Sequence, residues 1–284
     1  MTILVTAASG NLGHLIIRAL IARGTAPAQI VAGARTPGKA ADLADLGVRV
    51  VPFDYDQPDT LAAGLQGVER LVLVSGPEVG NRAAQHQNVI DAAKNAGVSA
   101  LAYTSVYQAT TSPLPLAGEH AATEHALAEA GIPHVLLRNG WYIENYEPEI
   151  ERARRSGMIA AAVGDGRVAA AARVDYAEAA AIAIADDTYL GRTLELVGDH
   201  AFSYRELASA IGVLLGTDVT YQPLTSEQLV NALRDAGLDE GTAGFVAGLD
   251  AGIAAGALDS TDRTLAGILG RPTTSLIDGL RAAV

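Results

Sequence analysis

The sequence predicts an α/β fold in which a doubly wound parallel sheet carries a smaller mixed α/β C-terminal lobe. Three observations predict it. Short β-rich runs alternate with segments of helical period through the first half of the chain. The first run leads into a glycine-bearing turn and then a helix pattern. After residue 139 the alternation breaks down. Apolar strands separated by amphipathic helices make βαβ units, whose parallel sheet is covered on both faces.

The predicted strands are 2–6, 29–34, 48–53, 69–75, 98–104 and 133–138, and the predicted helices are 11–22, 37–46, 58–66, 82–96 and 117–130. Six strands in this rhythm fit a Rossmann-type sheet over residues 1–138. Residues 139–284 form the expected smaller lobe, with 190–198 a candidate to return to the sheet as a seventh strand. Within 139–175 the pattern is irregular, with a strand-like stretch at 170–174. Helices follow at about 176–186, 203–216, 225–237 and 239–256, and one more after Pro272. Strand-like pieces occur at 193–197 and 219–222.

Composition narrows the function. Of 284 residues, 20 are basic and 32 acidic, for a net charge of −12. That surface repels nucleic acid and anionic membranes. No run approaches the ~18 apolar residues of a membrane span. Cysteine is absent, which excludes disulfides, thiolate nucleophiles and Cys-based zinc sites and fits a cytoplasmic protein. No His, Asp or Glu spacing suggests a metal, and no Gly-x-Ser-x-Gly elbow suggests a hydrolase. An apolar helix face leaves room for a homodimer.

The first turn carries the chemistry. Thr6, Ala7, Ala8, Ser9, Gly10, Asn11, Leu12 and Gly13 lie between a strand and a helix start. Such a turn offers unpaired backbone N–H groups and partial positive charge to a pyrophosphate. Gly10 allows close phosphate approach and Gly13 close helix packing, while Ser9 and Asn11 add polar contacts. Ala7 stands where such turns usually have glycine, which is tolerable if φ there is negative and awkward if it is not.

The second strand ends in A-R-T-P-G-K, with no acidic residue between Gly24 and Ala41 to bind a ribose 2′-hydroxyl. Arg35 and Lys39 stand there instead and suit a 2′-phosphate, hence NADPH. Asp54, at the end of the third strand, either contacts adenine or caps the next turn. Ser75, Gly76 and Pro77 end the fourth strand and Thr104 the fifth, in the crevice where cofactors lie.

Several segments together resemble a known family: TAASGNLGHLI, SGPEVGNRAAQHQNVIDAAKNAGV, AYTS, EHAATEHALAEAGIPHVLLRNGWYIENY, DYAEAAA and LAGILGRPTTSL. They are similar to the NmrA-like branch of the atypical short-chain dehydrogenases, above all to the type 2 NADPH:quinone oxidoreductases, with the triphenylmethane dye reductases as relatives. The resemblance spans essentially the whole chain, and LRNGWY-x-EN is its most specific part. It implies NADP(H) bound without flavin and reduction of quinones. It places the phosphates on Thr6 to Gly13, the 2′-phosphate on Arg35, and the nicotinamide and substrate near Ser75 to Pro77, Asn139, Gly140, Trp141, Tyr142 and Asn145. Arg173 is expected to reach the pocket from the smaller lobe. Ala7 departs from the family's T-G-A-T-G pattern.

Most short-chain dehydrogenases use a Tyr-x-x-x-Lys pair as proton donor. This chain has none, since its two lysines, Lys39 and Lys94, follow Arg35 and Ile90 at that spacing. Leu116 and His120 fall at the pair's positions. A simple ketone would then leave a strongly basic alkoxide without a donor, whereas a quinone leaves a delocalised and far weaker base. The expected substrate is therefore a quinone-like small molecule, stacked on Trp141 and Tyr142 unless these aromatics only join the lobe to the sheet. His120 either binds the nicotinamide ribose, donates a proton or lies on the helix surface. The alternative to an enzyme is an NADP(H)-binding redox sensor of NmrA type.

Overall fold

A computed structural model describes residues 1–284 and divides them into two compact units. The first comprises Met1–Thr110, Gly118–Asn139 and Arg173–Glu195; the second comprises Thr111–Ala117, Gly140–Ala172 and Leu196–Val284.

The first unit opens with β1 (Ile3–Val5), α1 (Asn11–Ala22), β2 (Ile30–Ala34), α2 (Ala41–Asp45), β3 (Arg49–Pro52), α3 (Pro58–Gly64) and β4 (Arg70–Leu73). It continues with α4 (Arg82–Asn95), β5 (Ala100–Val106), α5 (Ala117–Ala130) and β6 (His134–Asn139). The central strands are buried along their whole length, as strands covered on both faces must be. Alternate residues point to opposite faces. Leu4, Leu71, Leu73, Leu101 and Tyr103 pack with Leu61, Val89, Ile90 and Leu127 of α3, α4 and α5.

The smaller unit follows β6 with α6 (Glu147–Ser156), β7 (Met158–Ala161) and β8 (Arg167–Val168). The chain then returns through α7 (Arg173–Ala185), which packs with α1 and with β4, β5 and β6. The strand β9 (Thr193–Leu196) completes a seven-stranded sheet of order β3-β2-β1-β4-β5-β6-β9. Its bonds to β6 advance in step, from Gly191 N to His134 O, Leu136 N to Arg192 O and Gly140 N to Leu196 O, as parallel strands require. The chain ends with β10 (Phe202–Ser203), α8 (Tyr204–Leu215), β11 (Thr220–Pro223), α9 (Ser226–Asp235), α10 (Glu240–Ala254), α11 (Thr264–Leu269) and α12 (Leu276–Ala282). Here β7 pairs with β11 in parallel, and β8 with β10 antiparallel. Reciprocal capping boxes, Ser203 with Glu206 and Thr225 with Gln228, start α8 and α9.

Three sequence expectations change. Residues 139–175 hold more regular structure than the sequence suggests. Helix α6 has Pro148 in its first turn, Glu147 and Glu149 at the start, Arg154 and Arg155 at the end, and Gly157 closing it in the left-handed region. The stretch 170–174 is no strand, since only Ala171 bridges, to Tyr142, and Arg173 already begins α7. Because α7 packs on the sheet, Arg173–Glu195 count with the first unit, and Arg173 does not lie in the smaller one. No helix is long and apolar enough to cross a membrane.

Candidate dinucleotide site

The β1–α1 turn is a tight reversal closed by Gly10 N donating to Ala7 O at 2.8 Å. Ala7 has φ of +48°. That is the left-handed region, where an L-residue with a Cβ costs roughly 1–2 kcal/mol. The turn holds it there because Ala8 N bonds Gly33 O of β2 on one side and Gly10 closes the loop on the other. Gly13 accounts for the tight seating of α1, since a Cβ there would stand 2.5 Å from Ala7 O and 2.7 Å from Thr6 O. Gly10 caps α1 without a side-chain hydrogen bond, and the first turn holds no acidic residue. These are the conditions under which a helix start accepts an anion.

The eight turn residues divide by burial. Ser9, Gly10 and Asn11 are exposed and Ala7 is half-buried, whereas Thr6, Ala8, Leu12 and Gly13 are buried. Thr6 serves as an internal brace beside the turn. Its hydroxyl accepts Val74 N at 2.9 Å and meets the Tyr55 hydroxyl, which donates to Val74 O at 2.7 Å. This brace ties the ends of β1, β3 and β4 together.

A cavity of about 260 Å³ opens beside the turn. It brings Ala7, Ser9 and Gly10 together with Arg35, Lys39, Asp54, Gly76 and Pro77, all expected from the sequence. Asp54 also serves the alternative role considered for it, accepting Asp56 N at 3.1 Å and Gln57 Nε2 at 3.1 Å. Phe53, Tyr55, Glu78 and Gln85 line the same cavity and were not expected. A pocket of this volume falls just below the roughly 300–1,000 Å³ of whole drug-sized ligands, so it suits one end of a long cofactor. Two cations at the end of β2 make that end suited to a phosphate.

The loop after β4 is held from below. Gly76 N donates to His86 Nε2 at 3.0 Å, and Arg82 Nε donates to Gly76 O at 2.7 Å. Arg82 Nη1 then reaches Glu119 Oε2 at 2.8 Å, while Glu119 Oε1 accepts Gly80 N at 2.8 Å. Ser75 N donates to Thr104 Oγ1 at 2.9 Å, so buried Thr104 positions this loop through its hydroxyl.

His120 is not on the surface. It is 4% exposed, and its Nδ1 shares a hydrogen bond with the Tyr103 hydroxyl at 2.8 Å. It ends a file of rings, Phe53, Tyr55, His86, Tyr103 and His120, with neighbouring centroids 5.4–6.3 Å apart. Burial, with Arg82 nearby, pushes both histidines down to about 3. They are neutral at physiological pH, and His86 must carry its proton on Nδ1, toward Thr123 Oγ1 at 3.0 Å, because Nε2 accepts.

The segment after β6 is pinned by backbone. Gly140 N donates to Leu196 O at 2.7 Å, Ala171 N to Trp141 O at 3.1 Å, and Ile143 N to Ala171 O at 3.0 Å. Asn139 is buried, Gly140, Trp141 and Tyr142 are half-buried, and Asn145 is exposed. No group of three or more His, Asp or Glu side chains is arranged to hold a metal ion.

Comparison with known proteins agrees with this geometry. A family model described as NAD(P)H-binding matches residues 7–186. Quinone oxidoreductase 2 of Escherichia coli (strain K12) is 46% identical over 279 residues, covering 98% of this chain and 97% of that protein. The crystal structure of the NADPH-dependent quinone oxidoreductase from Escherichia coli complexed with NADPH is 44% identical, with a TM-score of 0.94 over 99% of each chain. The Citrobacter sp. triphenylmethane reductase complexed with NADP(H) is 35% identical, with a TM-score of 0.93 over 100% of each chain. A turn built for a phosphate, cations at the end of β2 and whole-length similarity agree, and the chain belongs to the NAD(P)H-binding family.

Proposed function

We infer that the chain is an NADPH-dependent quinone oxidoreductase that works without flavin. The observation that carries this reading is the cavity that sets the β1–α1 turn against Arg35 and Lys39, in a chain 46% identical end to end to a quinone oxidoreductase. The non-enzymatic sensor is set aside, because that likeness covers 98% of the chain and is to a protein named for its reaction.

The residues fit the dinucleotide. Ser9, Gly10 and Asn11 present the uncapped start of α1 to the pyrophosphate, and Gly13 keeps the helix close enough for its amides to reach. Arg35 and Lys39 take the 2′-phosphate. Asp54 and Pro77 flank the adenosine, and Ser75 and Gly76 offer the backbone of the anchored loop. Bound NADPH supplies the hydride for the quinone.

Asn139 and the segment Gly140, Trp141, Tyr142 and Asn145 receive the acceptor, with Trp141 as the flat face on which a quinone ring stacks. Arg173, at the start of α7, adds positive charge. No side chain is assigned as proton donor. The reduced quinone is a weak, delocalised base that water can protonate, so positioning supplies most of the acceleration. The chain acts in the cytoplasm, as a monomer or as a homodimer formed through an apolar helix face.

The test is NADPH oxidation by the flavin-free protein with a simple benzoquinone, beside an NADH control and a Trp141→Ala variant. Turnover well above the uncatalysed rate and lost in the variant is expected. Tight NADPH binding without turnover would overturn the reading.

A further inference from the structure

Arg35, assigned above to the 2′-phosphate, is already engaged. Its Nη1 donates to Glu78 Oε1 at 2.9 Å. Both residues line the one cavity, Arg35 from the end of β2 and Glu78 from the loop after β4. The pair joins positions 43 apart in the chain, both at the cavity lining.

Glu78 is aimed rather than loosely placed. Its second oxygen, Oε2, accepts Gln85 Nε2 at 2.9 Å. Gln85 is 3% exposed, and the same nitrogen donates to Asp56 Oδ2 at 2.8 Å. One buried amide thus holds two carboxylates from different loops. The Glu78 carbonyl accepts Arg82 N at 2.9 Å, and Arg82 is the residue that grips Gly76 O. Glu78 therefore stands on the same anchored loop that lines the site.

We propose that Glu78 is a specificity-determining residue that occupies Arg35 until a 2′-phosphate displaces it, and so moderates the preference for NADPH over NADH. The proposal rests on Arg35 being the 2′-phosphate ligand. Its chemistry is a competition between two anions for one guanidinium. Arg35 and Glu78 side chains are 65% and 40% exposed, so their pair is weak. A phosphate is a stronger partner for a planar, bidentate guanidinium, so it wins. The displaced carboxylate subtracts from the gain. A dinucleotide without the phosphate leaves the pair intact and is neither helped nor hindered by it.

The experiment titrates the full chain with NADPH and with NADH, following nicotinamide fluorescence at low salt, for wild type, Glu78→Gln, Glu78→Ala, Arg35→Leu and Arg35→Leu/Glu78→Gln. Both Glu78 variants are expected to tighten NADPH by about two- to fivefold, the scale of an exposed ion pair, and to leave NADH unchanged. In the Arg35→Leu background the Glu78→Gln change should have no effect. Weaker or unchanged NADPH binding in the Glu78 variants would overturn the proposal. So would equal tightening of NADH, or tightening that persists without Arg35. Arg35→Leu alone tests the underlying assignment, which fails if that variant binds NADPH as wild type does.

Discussion

His86 Nε2 accepts the Gly76 amide N–H at 3.0 Å, so a neutral imidazole holds the loop that lines the dinucleotide site. This fixes a pH dependence of stability. Burial pushes the folded-state values of His86 and His120 to about 3, against roughly 6.5 in the unfolded chain. Between those values the unfolded state binds protons that the folded state does not. Stability is then full above pH ~6.5 and falls as pH drops toward 3, by up to about 1.4 kcal/mol per pH unit for each histidine. Urea midpoints measured between pH 7.5 and pH 5 should fall steeply, and less steeply in a His86→Gln variant. Equal slopes would show that His86 does not titrate as described.

Ala7 supplies a second prediction. At φ +48° its methyl group is strained, and glycine would not be. Ala7→Gly should stabilise the protein by about 0.5–1 kcal/mol, once the unfolded chain's added freedom is subtracted. Gly13→Ala should do the opposite and abolish NADPH binding, since its Cβ would lie 2.5 Å from Ala7 O and backbone cannot yield there. Thermal denaturation with and without NADPH checks both. An Ala7→Gly variant less stable than wild type would show that the turn relaxes on substitution.

How much of this was legible in the sequence depends on range. The six strands and the first turn were legible because period and glycine spacing are local signals. The placement of Arg35 and Lys39 at the cavity was legible because both follow the end of the second strand, where a parallel sheet opens its crevice. The sign of φ at Ala7 was not, since a methyl group argues for negative φ and only the bonds from Ala8 to Gly33 and from Gly10 to Ala7 impose the reverse. Glu78 and Gln85 carry no periodic mark, and their partners lie 43 and 29 residues away. The bracing role of Thr6 was not legible either, since its partner Tyr55 lies 49 residues on and only the folding of β3 brings the two hydroxyls together. Helix α6 is poorly legible although its end charges and Gly157 mark it, because only Ile150 and Ala153 are buried and the apolar signal is thin.

Arg138 and Glu124 give a third prediction. Arg138 Nε and Nη2 donate to the two Glu124 oxygens at 2.9 and 2.7 Å, and Ser105 Oγ donates to Glu124 Oε1 at 2.6 Å. The side chains are 13% and 6% exposed. Arg138→Leu strands a buried carboxylate and should cost about 3–5 kcal/mol. Glu124→Gln/Arg138→Leu, which removes that stranded charge, should regain a substantial part. Chemical denaturation of the two variants decides it, and equal losses would mean that packing, or the Glu195 carboxylate that Arg138 Nη1 also pairs at 2.8 Å, sets the cost rather than Glu124.

The resemblance to short-chain dehydrogenases puts His120 at the position of a catalytic group, so its role in proton transfer is the last question. Its ring is buried and neutral, and Nδ1 is taken by Tyr103. An imidazole pushed down to about 3 has no second proton to give at pH 7. A positioned general acid contributes about 10²–10⁴-fold. His120→Gln should therefore lose less than about tenfold in kcat with benzoquinone, any loss coming from movement of Tyr103 beside it. The kcat–pH profile should keep its shape between pH 6 and pH 8. A hundredfold loss, with a wild-type inflection that vanishes in the variant, would make His120 the donor. Quinone reduction tolerates the lack of one, because the negative charge left on the ring is spread over two oxygens and an aromatic system. A simple ketone concentrates that charge on one oxygen, so the same protein should reduce benzoquinone and leave cyclohexanone untouched.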